Sequence, residues 1–209
     1  MGLCTVAQFK TQYSWGVDTA DDTLLAQIIA GVSARFARAA GRVSNGVPCL
    51  EITTWGSSSP LILNVPEARS EWLWLPAWPI VSVTKVQESH DCDWDNADAL
   101  TLNEDYKVDA ALGGLYRMGF WYTGIQTVRI ETVGGYTAAG DTPGTGETAL
   151  PDDVVDAAIE QVGYAYQNRH SLGLTSVSGG GGSVARALDG LGLLDGVRRV
   201  AEGLRRIAT

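Results

Sequence analysis

Leu24, Leu25, Ile28, Ile29, Val32 and Phe36 recur at three- and four-residue spacing, which predicts one long amphipathic helix over Asp22–Ala40. Asp21 and Asp22 stand at its positive end, and Arg35, Arg38 and Arg42 gather at its negative end. Gly41 suits a left-handed cap. At 1.5 Å per residue this helix is roughly 28 Å long. The same period returns in Val154, Val155, Ala158, Ile159, Val162 and Tyr166, predicting a second helix over Pro151–His170. Pro151 fits its first turn, Asp152 and Asp153 favour its start, and Arg169 closes it. A shorter helix is expected over Thr5–Tyr13, where Thr5 and Gln8 have capping-box spacing and Val6 and Phe9 share a face.

Between the long helices the period changes to two. Short apolar runs broken by Gly, Pro, Ser and Asp predict antiparallel strands at 51–55, 61–65, 71–75, 81–87, 106–108, 114–117 and 126–133. Pro76 and Pro79 bracket a bend. The expected class is therefore α+β: a small helical bundle from the N- and C-terminal helices, an inserted antiparallel β-rich lobe, and a flexible C-terminal tail. The corresponding divisions are 1–45 (N-terminal bundle helices), 46–140 (β-rich lobe), 141–174 (C-terminal bundle helix), 175–183 (Gly/Ser linker, TSVSGGGGS) and 184–209 (tail). The tail spaces Val184, Leu188, Leu191, Leu194, Val197, Val200 and Leu204 approximately as a helix. Its interior glycines each cost roughly 1 kcal/mol relative to Ala, so a partner is expected to hold it. With Arg186, Arg198, Arg199, Arg205 and Arg206 against three acids, the tail is +2 and the remainder −11, which suits a docking element.

The chain has 209 residues, one ordinary domain or one domain with an insertion. Its net charge of −9 opposes nonspecific nucleic-acid binding, which needs a basic face. Cys4, Cys49 and Cys92 are few, odd in number and far apart, which reads as a reducing compartment. No signal peptide or membrane span is expected.

Candidate chemistry is sparse. His90 and His170 belong to no nucleophile motif, and GRVSNG at 41–46 lacks the spacing of a nucleophile elbow. His90, Asp91, Asp93, Asp95 and Asp98 cluster, but counting a calcium loop from Asp91 puts Asn96 at the turn glycine and Leu102 at the bidentate glutamate. A solvated acidic loop is the plainer reading, part of a stretch over 88–109 with a net charge of −7. The glycines at 179–182 lack the lysine of a phosphate-binding loop. Trp55, Trp72, Trp74, Trp78, Trp94 and Trp121 concentrate in the β-rich lobe. Core packing is their default reading, ahead of a sugar- or base-stacking platform. No catalytic, metal or cofactor residue is expected.

Residues 5–42 ("TVAQFKTQYSWGVDTADDTLLAQIIAGVSARFARAAGR"), "LPAWPIVSVTKVQ", "LNEDYKVD", "GGLYR", "TVRIETVGGYT" and "LPDDVVDAAIEQVGYAYQNR" follow one another in an order that resembles the head-tail connector, or adaptor, proteins of tailed bacteriophages and gene-transfer particles. The resemblance spans about Thr5 to Arg169. It implies a non-enzymatic structural protein of the virion neck, made in the host cytoplasm, whose copies form a ring, a dodecamer, beneath the portal protein. That ring would extend the DNA channel, let DNA through without sequence-specific binding, and receive a head-closure or tail-completion protein. It would use no cofactor and no membrane. The resemblance makes Leu24, Leu25, Ile28, Ile29, Val32, Phe36, Val155, Ile159, Val162 and Tyr166 bundle residues. It also assigns portal docking to Val184, Leu188, Leu191, Leu194, Val197, Arg198, Arg199, Val200, Leu204, Arg205 and Arg206. The alternatives are another neck protein (head closure or tail completion) and a carbohydrate-binding module that uses the lobe's tryptophans.

Overall fold

A computed structural model of the chain describes residues 2–13, 18–169, 176–179, 182–185 and 192–205, with 176–179 and 182–185 as backbone alone. The class is α+β, as the periodicities require. The chain divides into two compact units, residues 1–41 with 150–209, and residues 42–149.

Among the described residues the first unit holds four α-helices: α1 (Val6–Gln12), α2 (Asp22–Ala39), α3 (Asp152–Gln167) and α4 (Asp195–Gly203). The capping box of α1 forms in both directions: Gln8 N–H donates to Thr5 Oγ1 (3.0 Å) and Thr5 N–H to Gln8 Oε1 (2.8 Å). Leu25, Ile29, Val32 and Phe36 of α2 are buried at i, i+4, i+7 and i+11, facing α3. Of the expected bundle residues Leu24 is exposed and Ile28 and Val155 are half-buried, because each lies about 100° around its helix from a buried neighbour, Leu25, Ile29 and Val154. Asp21 caps α2 by position only. Its carboxylate instead accepts the hydroxyl of Tyr166 from α3, while Lys10 pairs with Asp22.

The largest difference from expectation concerns the tail. Residues 195–203 form a helix packed on α2 and α3, with Val197 and Ala201 fully buried, so this stretch is a bundle helix and not a loose arm. The buried amide of Gln161 in α3 holds its entry: Oε1 accepts Leu194 N–H at 2.7 Å, and Nε2 donates to the Gly192 carbonyl at 3.4 Å.

The second unit is the β-rich lobe. It begins with the hairpin β1 (Val43–Ser44) and β2 (Val47–Pro48) and continues through β3 (Thr53–Trp55), β4 (Leu61–Val65), β5 (Trp72–Trp74) and β6 (Ile80–Glu88). There follow β7 (Tyr106–Asp109), β8 (Gly114–Arg117), β9 (Gly124–Gly134), β10 (Tyr136–Thr137) and β11 (Thr148–Ala149). The central strand β9 pairs antiparallel with β6 along one edge, while β3 and β4 occupy successive stretches of the other. Val128, Ile130 and Thr132 alternate inward along β9, and two bulges in β6 interrupt its alternation. A second antiparallel sheet, β5-β8-β7, contributes Leu73, Leu115 and Tyr106 to the same core. Arg42 is buried with its guanidinium 3.3 Å from the Trp78 ring centroid and 5.1 Å from that of Tyr136, and it donates to the Trp78 carbonyl.

Sequence reading left β1, β2, β10 and β11 unassigned, since two-residue strands carry no period. The expected Gly/Ser linker contains β12 (Ser176–Gly179) and the start of β13 (Gly182–Ala185), which extends into the expected tail; the two strands pair antiparallel. No described helix is long and apolar enough to cross a membrane.

Candidate functional site

The expected core tryptophans split by strand parity. In β5, Leu73 points into the core, so Trp72 and Trp74 point out and remain 39% and 37% exposed. Their rings are parallel within 5°, with centroids 5.1 Å apart, and Tyr116 of β8 lies 5.2 Å from Trp72. Gly114, opposite Trp74 in the ladder, makes this arrangement possible: a Cβ there would stand 2.5 Å from Trp74 Cζ3 and 2.9 Å from Trp72 Cζ3. Trp121 does join the core, its indole N–H donating to the Glu71 carbonyl at 3.0 Å.

The β8–β9 loop is a second outward-facing element. Trp121 anchors it, while Met118, Phe120 and Tyr122 are exposed, as is Ile125 at the start of β9. Sequence reading missed these residues, although the run MGFWYTGI is apolar without the alternation of a strand. Nearly all the large exposed apolar residues described belong to the β-rich lobe, Leu24 being the exception.

Beside this loop lies an open cleft lined by Glu88, His90, Asp91, Asp98, Arg117 and Tyr122 among others. The Glu88 carboxylate is buried and occupied: Oε1 accepts Tyr122 N–H at 2.9 Å and Oε2 meets Arg117 at 3.1 Å. Arg117 also reaches Asp105 Oδ1 at 3.4 Å and its carbonyl at 3.0 Å. The Thr101 N–H, first among the causes, draws the Asp105 carboxyl below its usual range. The Ser89 hydroxyl donates a hydrogen bond to Asp91 Oδ1 at 2.7 Å, and His90 stacks on Tyr122 with ring centroids 3.9 Å apart. The described bonds thus direct the hydroxyl at an aspartate and the imidazole at an aromatic face.

The acidic cluster folds on itself. Asp91 accepts the Asp93 N–H (3.2 Å), Asp93 accepts the Asp95 N–H (3.3 Å), and Asp93 also accepts Asn96 Nδ2 (2.6 Å). These are the local turn bonds that Asp favours. Among the described residues no group of three His, Cys, Asp or Glu side chains could hold a metal ion.

Of the proposed docking residues, Val197 is buried in the bundle, Val200 and Leu204 are half-buried, and Arg198, Arg199 and Arg205 are exposed. Leu194 caps α4. Val184 is described in backbone only, in β13, and Leu188, Leu191, Arg206 and His170 lie outside the described residues.

Two solved structures resemble the whole chain. One is a chain of "Neck of native GTA particle computed with C12 symmetry", at 18% identity and a TM-score of 0.50, covering 98% of this chain and 89% of that one. The other is a chain of "Neck of empty GTA particle computed with C6 symmetry", at 19% identity and a TM-score of 0.55, covering 99% and 91%. The fold is that of a GTA-particle neck chain. The likeness runs nearly end to end in both directions, so it includes the helices and the β-rich lobe together. No protein-family model matches the chain, and no curated protein matches it.

Proposed function

We propose that this chain is a structural, non-enzymatic component of the neck of a phage-like particle, present in several copies as a ring. The observation that carries this reading is likeness over 98% and 99% of the chain to neck chains from particles reconstructed with C12 and C6 symmetry. In its finer form the reading is an adaptor: a ring beneath the portal that continues the DNA channel and offers the tail, or a completion protein, its attachment surface. Charge supports this form. A lobe with fourteen acidic and six basic residues repels the phosphate backbone, which favours passage of DNA over retention. Cryo-electron microscopy of the particle neck tests it. Density for this chain in a ring next to the portal is expected, and density in the capsid shell or tail tip would end the proposal.

A carbohydrate-binding module is the second reading, favoured by the exposed Trp72 and Trp74 over Gly114. Binding on a glycan array that disappears in a folded Trp72→Ala variant would establish it over the neck reading.

A further inference from the structure

We propose that residues 118–125, the β8–β9 loop with the first two residues of β9, are the contact through which one copy of this chain grips the next. The proposal rests on the ring reading above and names the surface that reading leaves open.

The loop exposes apolar groups on a fixed backbone. Ile125 is 78% exposed, Met118 53%, Phe120 50% and Tyr122 41%. Its backbone is tied down at several points. Met118 N–H donates to the Asp105 carbonyl (2.8 Å), Trp121 N–H to the Ser70 carbonyl (2.9 Å), and Tyr122 N–H to buried Glu88 (2.9 Å). The Tyr122 carbonyl accepts Thr127 Oγ1 at 2.7 Å. Gly119 and Gly124 take φ of +140° and +151°, which a side chain would resist. A loop so held loses little conformational freedom on binding, which is what a preorganised contact requires.

Chemistry narrows the occupant. The segment 88–109, net −7, adjoins the loop through Glu88 and through His90 stacked on Tyr122. Nucleic acid and an anionic lipid surface are both repelled by such a neighbour, so the partner is protein. Cyclic symmetry makes the contact heterologous: the loop meets a different face of the next copy. Charge repulsion from that copy's lobe, net −8, is far stronger than from its bundle unit, net −1, so the bundle unit is the face met. The exposed parts of the four side chains amount to about 400 Å², taking ~150–250 Å² for each aromatic and similar apolar group. That is about half of the ~800 Å² that each partner contributes to a stable interface. Pairs of free subunits should therefore associate weakly, and many copies arrayed on one symmetric surface should associate tightly.

Sedimentation velocity on the full chain, from micromolar up to about 1 mM, tests this. Wild type should self-associate beyond the dimer, and Phe120→Ser with Ile125→Ser should raise the concentration needed by at least about tenfold. Both side chains are exposed, and an unchanged circular-dichroism spectrum verifies the fold. Should that double variant unfold, Met118→Ser with Tyr122→Ser is measured in its place. Self-association beyond the dimer that neither variant weakens would overturn the loop and leave the ring reading standing. Association that stops at the dimer yet is lost in the variants would overturn the heterologous ring and keep the loop as a self-contact. No association up to about 1 mM would overturn the proposal.

Discussion

Replacing Gln161 with methionine asks how α4 is held. The substitution keeps an unbranched side chain of similar volume in a fully buried position and removes both atoms that bind the α4 entry. The 2.7 Å bond from Leu194 N–H carries most of the effect, since the 3.4 Å bond to Gly192 is long. Two such bonds together contribute about 1–2 kcal/mol net, and half-buried Leu194 lets water compensate part of the loss. Against this, α4 buries only one Val and one Ala fully, worth about 2–4 kcal/mol. The bonds are thus a large share of what docks the helix. Hydrogen exchange read by mass spectrometry on the full chain should show residues 197–203 exchanging about 5–30-fold faster in the variant, while α2 amides from Leu25 to Phe36 change much less. Equal protection of α4 in both proteins would refute the account, as would an equal loss across α2. Val197→Ala should reproduce the local effect with a cost of about 2 kcal/mol, from two methyl groups and the cavity left behind.

Gly114→Val should force the two indoles off the sheet and destabilise the lobe by about 1–3 kcal/mol, seen in thermal unfolding and in loss of the Trp–Trp signal in far-ultraviolet circular dichroism. Tyr166→Phe should cost about 1–2 kcal/mol by leaving the Asp21 carboxylate without its hydroxyl donor. The hydrogen bond to Asp21 raises the Tyr166 pKa above its usual value, so its stabilisation is complete below about pH 10 and is lost as pH rises through the folded value. Urea unfolding at rising alkaline pH should show this decline in wild type and a flatter one in Tyr166→Phe. Burial pushes the Cys4 thiol up to about 11 and raises that of Cys49, whereas Cys92 is exposed. A disulfide reagent at neutral pH should therefore label one thiol quickly and the other two only on unfolding.

The helices were legible because each satisfies period, caps and charge at once: Asp22–Ala39 and Asp152–Gln167 fall within three residues of their expected ends. Strands of three or more residues were legible in the same way, within two residues at most ends. What escaped reading depends on tertiary pairing. Alternation puts Trp72 and Trp74 on one face of their strand but cannot say which face is inward, and Leu73 decided it. Arg42 looked like a helix-terminal charge and is instead enclosed between Trp78 and a more distant Tyr136, aromatics 36 and 94 residues away in sequence. The glycines of the C-terminal segment suggested a loose arm, because propensity says nothing of a buried glutamine 33 residues upstream that captures the backbone of Leu194. The exposed loop was missed since an apolar run with a tryptophan at its centre reads as core.

The charge distribution adds a constraint of its own. The β-rich lobe carries −8 and the other unit −1, so neighbouring copies, both net negative, repel one another even where a lobe meets a bundle unit. Much of this charge is on exposed carboxylates such as Asp91, Asp93, Asp95 and Asp98, where salt screens interactions beyond about 8 Å at physiological ionic strength. On the ring reading, repulsion between lobes opposes the small apolar contact of residues 118–125. Raising salt therefore weakens the opposing effect and leaves the apolar one intact. Self-association should strengthen with sodium chloride, the reverse of an assembly built on salt bridges. Weakening with salt in the sedimentation experiment would mean that charge pairs, such as those available to Arg198 and Arg199, dominate over the exposed aromatic and aliphatic groups.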